Sequence, residues 1–202
     1  EKDRLHPQKK FLKPIAAGAI SLKTTYYILI LIFLVSSLLV YFQKSLHTSI
    51  FVYLVLAISY NLFFKKIPFF ELIILSAGYV VRVDSGSKII GVDSSIYMLI
   101  STFFLGNFFI LIKRLCELNQ FELKEKKFTR EVLKYYKNDI LNKIIIATFF
   151  CLLTTLIIYV ITINLKLLFS VILVMIHLYT YYFYTKDNTK GENPISYIIN
   201  DK

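Results

Sequence analysis

The sequence predicts an all-α protein, a polytopic transmembrane helical bundle, and three observations predict it. Of its 202 residues 56% are hydrophobic and 18% charged, for a mean hydropathy of +0.61. The apolar residues gather into six stretches. The basic residues fall almost wholly on alternate linkers between them. A soluble domain of this length could not cover so much apolar surface with 24 Lys and Arg and 13 Asp and Glu, whereas a bilayer accepts it as solvent.

The stretches cover residues 24–42, 49–64, 67–83, 95–112, 141–163 and 166–185. Several approach the ~20 residues that a hydrocarbon core of ~30 Å requires. The three shortest, 49–64, 67–83 and 95–112, suit tilted or partly re-entrant segments. Alternation then puts 1–23, Lys65–Lys66, 113–140 and 186–202 on one side, with every Lys and Arg except Lys44, Arg82, Lys88 and Lys166. Positive residues stay on the cytoplasmic side during insertion, so these linkers are expected to face the cytoplasm and the protein to reside in the cell membrane. The net charge of +11 reads as topology plus attraction for anionic lipid or substrate, without a nucleic-acid partner. The two cysteines, Cys116 and Cys151, are too few for a disulfide framework and read as small buried hydrophobes. His177, within the last stretch, reads as a hydrogen-bonded interior histidine.

One membrane domain, 1–202, follows, with a motif loop over 1–23, a cap over 113–140 and a tail over 186–202 that leads toward a further span. Chemistry is expected in the cytoplasmic linkers. The third stretch opens KKIPFFEL, with Pro68 where a helix tolerates it and Glu71 one turn inside. A carboxylate there needs a partner or a polar cavity. Glu71, Gly78 and Arg82 fall close to one helical stripe, so one face of this helix should line something polar. Lys113, Arg114 and Glu117 continue the fourth helix, and their spacing lets all three converge on one point at the membrane boundary. Lys127, Arg130, Lys134 and Lys137 share one helical row, and Leu133, Tyr136 and Ile140 another. That pattern predicts an amphipathic helix lying on the membrane surface, apolar side down. In the opening segment EKDRLHPQKKFLKPIAAG, the carboxylates Glu1 and Asp3 stand beside Arg4, His6, Lys9, Lys10 and Lys13. Acids flanked by cations suit a Mg²⁺ ion bridging a diphosphate, with the cations taking the remaining negative charge.

Together DRLHP…KPIAAG, YNLFFK, GYVVRVDSG and KRLCEL resemble the UbiA superfamily of intramembrane transferases. The superfamily stretch N-D-x-x-D-x-E-x-D-R-x-H-P, followed by R-P-I-A-x-G, is matched from Glu1 through Asp3, Arg4, His6 and Pro7 to Pro14, Ile15, Ala16 and Gly18. Tyr60 and Lys65 match Y-x-x-x-x-K, with Glu71 where Asp is usual. Arg82 and Gly86 match R-x-x-x-G, and Lys113, Arg114, Glu117 and Leu118 match K-R-x-x-E-L. Tyr136 falls near a tyrosine of the family's cytoplasmic helix, and GENPISYIINDK is similar to the stretch before its final helix. The match begins partway through the first motif and stops before the last helix, so the sequence reads as truncated at both ends and, alone, is expected to be inactive. The basic stretch is one residue longer than usual, and Lys13 stands where Arg is common.

The resemblance implies a UbiA-like bundle and a transferase that moves the 5-phosphoribosyl group of phosphoribosyl diphosphate to a polyprenyl phosphate and releases diphosphate. It implies Mg²⁺ on Asp3, supported by Glu1, and phosphate clamping by Arg4, Lys9, Lys10, Lys65, Lys113 and Arg114. Glu117 orients the cations or touches ribose hydroxyls. His6, Lys13, Tyr60, Glu71, Arg82 and Tyr136 complete the expected substrate-binding set. The alternatives are prenylation of an aromatic acceptor, which usually brings a second aspartate-rich motif where this chain has KRLCEL, and an inactive fragment of such an enzyme. A transporter would carry internal repeats with interrupted helices, and the sequence has none.

The distribution of Lys and Arg places both termini in the cytoplasm. Cysteine labelling from outside intact cells should modify a residue placed at His47 and leave ones placed at Asp3 and Asn188 untouched. The reverse pattern would overturn the topology.

Overall fold

The computed structural model describes the backbone of residues 14, 15, 17–124 and 131–187, and their side chains except at 120–124, 131, 186 and 187. The described residues form six α-helices and no strands: α1, Leu22–Phe42; α2, His47–Leu62; α3, Phe70–Ile89; α4, Ile96–Lys124; α5, Asn138–Ile163; and α6, Leu168–Asp187. Short 3₁₀ turns, Lys44–Leu46, Phe64–Lys66, Glu131–Tyr135 and Leu165–Leu167, punctuate the connections. Two compact units, Glu1–His47 and Thr48–Lys202, divide the chain.

In the first unit, α1 starts at Ser21, whose hydroxyl accepts the Thr24 amide hydrogen at 3.1 Å and so satisfies one of the helix's orphan donors. The helix ends at Gln43. A ring nitrogen of His47 hydrogen-bonds the Val40 carbonyl at 3.0 Å and closes the turn that follows. With 21 residues and no charged side chain after Lys23 in its first turn, α1 is long and apolar enough to cross a bilayer.

The second unit is built around α4, which packs along α3 on one side and α5 on another, with α6 against both α4 and α5. Phe108, Leu111, Ile112, Leu115 and Cys116 of α4 are fully enclosed, and Leu141, Ile145 and Leu152 of α5 close over them. Small and polar residues let the helices approach and join. A Cβ added at Gly106 would lie 2.9 Å from the Tyr79 ring, so only glycine permits α3 and α4 to cross this closely without displacing that ring. Ser101 donates to Thr155 at 3.2 Å between α4 and α5, and Tyr182 donates to Asn142 at 2.9 Å between α6 and α5.

Five of the six helical stretches, all but the third, are long and apolar enough to span a membrane, and the chain is a multi-pass membrane protein. The third, α3, has the length but carries Glu71, Arg82, Asp84 and Lys88. No break falls within α2, α3 or α4, the helices formed by the stretches expected to be tilted or re-entrant. α3 runs past the expected end at 83 because Lys88 pairs with Asp84 at 2.6 Å, one turn apart, and holds the last turns together. α4 continues three turns past 112. Its 29 residues extend about 43 Å, more than the ~30 Å hydrocarbon core, so KRLCELNQFELK at its C-terminal end emerges at the boundary.

The expected surface helix over 127–140 is not present in that form. Glu131–Tyr135 is a 3₁₀ turn and α5 begins at Asn138, while Lys127 and Arg130 lie outside the described residues. Val132, Leu133 and Tyr136 are buried in protein, and Ile140, on the other side of the break, is 42% exposed. The apolar face is covered by protein: Tyr136 packs on Phe69 and hydrogen-bonds Glu71, and the turn lies against Phe64–Lys66. Two smaller expectations also change. Cys116 is buried as expected, but Cys151 is exposed on α5, and His177 faces outward on α6.

Candidate active site

The site begins where α3 begins. Ile67 precedes a proline and is therefore held extended, at φ −100° and ψ 117°, which ends any helix before it. Phe69 then adopts φ 65° and ψ −41°, and the Phe70 amide donates to the Pro68 carbonyl at 2.8 Å. This is a γ-turn in the left-handed half of conformational space, strained for a residue with a bulky side chain. It sets Glu71 in the first turn of α3, where the helix dipole favours a carboxylate.

Arg114 comes to Glu71 from the boundary end of α4. Its Nε donates to Glu71 Oε1 at 2.7 Å and its Nη2 to Oε2 at 3.0 Å, the paired geometry that only a guanidinium offers a carboxylate. Its Nη1 donates to Glu117 Oε2 at 2.8 Å, one turn further along α4. Glu71 is 0%, Arg114 2% and Glu117 6% exposed, so the three charges are enclosed together. Tyr60, half-buried on α2, lies within electrostatic reach of the guanidinium.

Tyr136 closes the cluster from the segment after α4. Its hydroxyl donates to Glu71 Oε1 at 3.2 Å and accepts the Phe69 amide hydrogen at 3.0 Å. The Phe69 ring meets the Tyr136 ring edge-on at 5.3 Å. Burial pushes the Tyr136 phenol up to about 12, with the Glu71 carboxylate adding to the effect and the Phe69 amide opposing it. The phenol therefore keeps its proton at neutral pH and can serve as the donor that Glu71 needs.

Of the expected site residues, the structure brings together Glu71, Arg114, Glu117 and Tyr136. Lys113 does not join the point where Arg114 and Glu117 meet. It is exposed, since one residue along a helix turns the side chain by about 100°. Lys65 is exposed on the 3₁₀ turn before α3. Arg82 leaves the Glu71 stripe's polar cluster altogether: it is exposed, donates to the Tyr53 hydroxyl and lies over two tyrosine rings. Glu1, Asp3, Arg4, His6, Lys9, Lys10 and Lys13 lie outside the described residues. Phe69 was not among the expected residues. The Ile67–Pro68 break was its only signal. Among the described residues no three His, Cys, Asp or Glu side chains gather as a metal site, and Glu71 and Glu117 have their carboxylates engaged by Arg114.

A multi-pass helical protein with an enclosed carboxylate and guanidinium cluster at the boundary of its spans is the class these features define. Residues 1–199 match the model of the UbiA prenyltransferase family, and the chain belongs to that family. It is similar to the decaprenyl-phosphate phosphoribosyltransferase of Corynebacterium glutamicum, with 28% identity over 138 residues. The similar region covers 67% of this chain and 41% of that protein's length.

Removing the Tyr136 hydroxyl strands the Phe69 amide and takes one donor from Glu71, so Tyr136→Phe should lose about 1–3 kcal/mol of stability. The phenol's folded pKa of about 12 exceeds its unfolded value of about 10, so the stabilisation is complete below pH ~10 and is lost as pH rises through about 12. Thermal melting in detergent should therefore show a gap between wild type and Tyr136→Phe that closes over that interval. Equal melting at pH 7 would remove Tyr136 from the cluster.

Proposed function

We propose that this protein contributes the membrane-boundary site of a transferase that moves a phosphoribosyl group from phosphoribosyl diphosphate to a polyprenyl phosphate. The observation that carries the reading is the commitment of Arg114 to Glu71 and Glu117. All three of its nitrogen atoms donate to carboxylates, so the cluster is a rigid floor and Lys113, beside it in sequence and exposed, is left to meet a phosphate. The loop after this span begins KRLCEL where the aromatic prenyltransferases usually carry a second aspartate-rich motif, and this favours the phosphoribosyl reading over prenylation of an aromatic acceptor, as does the name of the corynebacterial relative.

In this reaction an oxygen of the lipid phosphate forms a bond to the anomeric carbon as the bond from that carbon to the diphosphate breaks. Positive character develops on the ribose and negative charge on the departing diphosphate. Lys65 and Lys113 stabilise the developing negative charge, together with Arg4, Lys9, Lys10 and Lys13 of the opening motif. Glu71 and Glu117 keep Arg114 fixed, and Arg114 in turn fixes the end of α4 that presents Lys113. Tyr136 holds Glu71 from the segment before α5, and Tyr60 lies within electrostatic reach of Arg114. Glu71 and Glu117 do not suit a Mg²⁺ ion, because Arg114 engages both oxygens of Glu71 and one of Glu117. Asp3, supported by Glu1, would hold the ion in the opening motif.

The test is an assay of the full-length protein in isolated membranes, following label from phosphoribosyl diphosphate into a lipid extract. Lys113→Ala should lower transfer by at least ~100-fold, the scale for a group that stabilises transition-state charge. Lys137→Ala, an exposed change at the start of α5, should cost little. A parallel assay supplies prenyl diphosphate and an aromatic acid. Product only in the parallel assay would contradict the phosphoribosyl reading.

A further inference from the structure

Arg82 is the charged side chain of α3 that the boundary cluster does not use. It lies three turns beyond Glu71, about 16 Å further along the helix. Lys88, paired with Asp84 at 2.6 Å and donating to Ser49 at 3.5 Å, marks the opposite end. α2 and α3 run antiparallel, since Ser49 meets Lys88 while Tyr53 meets both Arg82 and Gly78. α2 and α4, on either flank, are both apolar enough to span, so Arg82 sits at hydrocarbon depth.

The guanidinium does not reach for the nearer end of the helix. Helical side chains lean toward the N-terminus, and this one lies 5.5 Å from the ring centre of Tyr79, one turn back, and 5.0 Å from that of Tyr53. One of its five N–H donors goes to the Tyr53 hydroxyl. Among the described residues it has no carboxylate partner, and its side chain is exposed. Two ring faces lower the cost of the charge but do not neutralise it. A charged side chain at this depth, aimed away from the nearer interface, faces a polar compartment or a charged ligand.

The open edge of a guanidinium held from behind by two tyrosines is a planar set of donors with the geometry of phosphate oxygens. We propose that Arg82, oriented by Tyr53 and Tyr79, binds the phosphate of the polyprenyl phosphate substrate, which enters from the hydrocarbon along α2 and α3. The proposal rests on the lipid-phosphate reading above. A soluble anion would need an aqueous path to this depth, whereas a phosphate carried on an isoprenoid chain arrives through the bilayer. The acceptor phosphate then lies deeper than the diphosphate held at the boundary.

The experiment measures equilibrium binding of radiolabelled polyprenyl phosphate to the full chain in nanodiscs of neutral lipid, with polyprenol and inorganic phosphate as comparison probes. Arg82→Gln should weaken polyprenyl phosphate binding by ~10–100-fold, as loss of a charge-assisted hydrogen bond predicts, with polyprenol binding unchanged and inorganic phosphate unable to compete. Arg82→Lys should fall between the two. If Arg82→Gln also loses polyprenol, a folding defect is indicated and Tyr53→Phe decides: weaker binding of the phosphate lipid alone supports the site, and unchanged binding overturns it. Equal affinity of wild type and a folded Arg82→Gln variant would overturn the site while leaving the proposed reaction standing. Failure of wild type to bind polyprenyl phosphate would overturn both. Competition by inorganic phosphate would assign Arg82 to a soluble anion instead.

Discussion

A guanidinium cannot be enclosed without carboxylates around it, and the arrangement of the second unit follows from meeting that condition for Arg114. An enclosed charge left unpaired costs several kcal/mol, and the pair's mutual attraction offsets the loss of water only when the geometry is good and the remaining donors are satisfied. Here Glu71 takes two nitrogens of Arg114 and Glu117 takes the third. The first requires α3 to begin beside the emerging end of α4. The second requires α4 to remain helical for another turn beyond Arg114, past the point where its apolar run ends.

The same condition accounts for the strained turn. Glu71 can be in the first turn of α3 and face α4 only if the chain reverses just before it, and Phe69 makes that reversal at a positive φ that glycine or asparagine would adopt more easily. The Tyr136 hydroxyl offsets part of the strain by accepting the Phe69 amide hydrogen, and its ring packs on Phe69. Thus three segments distant in sequence, the turn before α3, the end of α4 and the approach to α5, meet at one carboxylate. The 3₁₀ turns Phe64–Lys66 and Glu131–Tyr135 lie against each other at the same place. The basic residues outside this floor, Lys65 and Lys113, gain a fixed platform from it.

Much of the fold was legible because hydrocarbon imposes length and apolarity on any helix that crosses it, and all six helices lie where the apolar runs lie. Glu71 stood out as an ionisable residue one turn inside an apolar stretch, and the spacing of Arg114 and Glu117 showed that they share a face. What covers a face is a different matter. Leu133 and Tyr136 follow an amphipathic spacing whether the apolar side meets lipid or protein, and the structure covers them with protein. Ile140 had the right spacing but lies beyond a break in the helix, so its side chain is exposed. Arg82 and Glu71 share a stripe of α3, yet α4 reaches one and α2 the other, a distinction that no single-helix pattern contains. Phe69 was illegible for the opposite reason: its conformation is imposed by the segments it joins.

The central claim is that Glu71 and Arg114 are held as one unit, and a double-mutant cycle on the pair tests it most directly. Stability of wild type, Glu71→Gln, Arg114→Gln and the double variant would be measured by denaturant unfolding in micelles. Each single change should be strongly destabilising because it leaves an enclosed charge without its partner. The double variant should be less destabilised than the two losses added together, by ~2–3 kcal/mol of coupling. Additive losses, within about 0.5 kcal/mol, would mean that the two side chains do not depend on each other and that some other contact fixes this end of the protein.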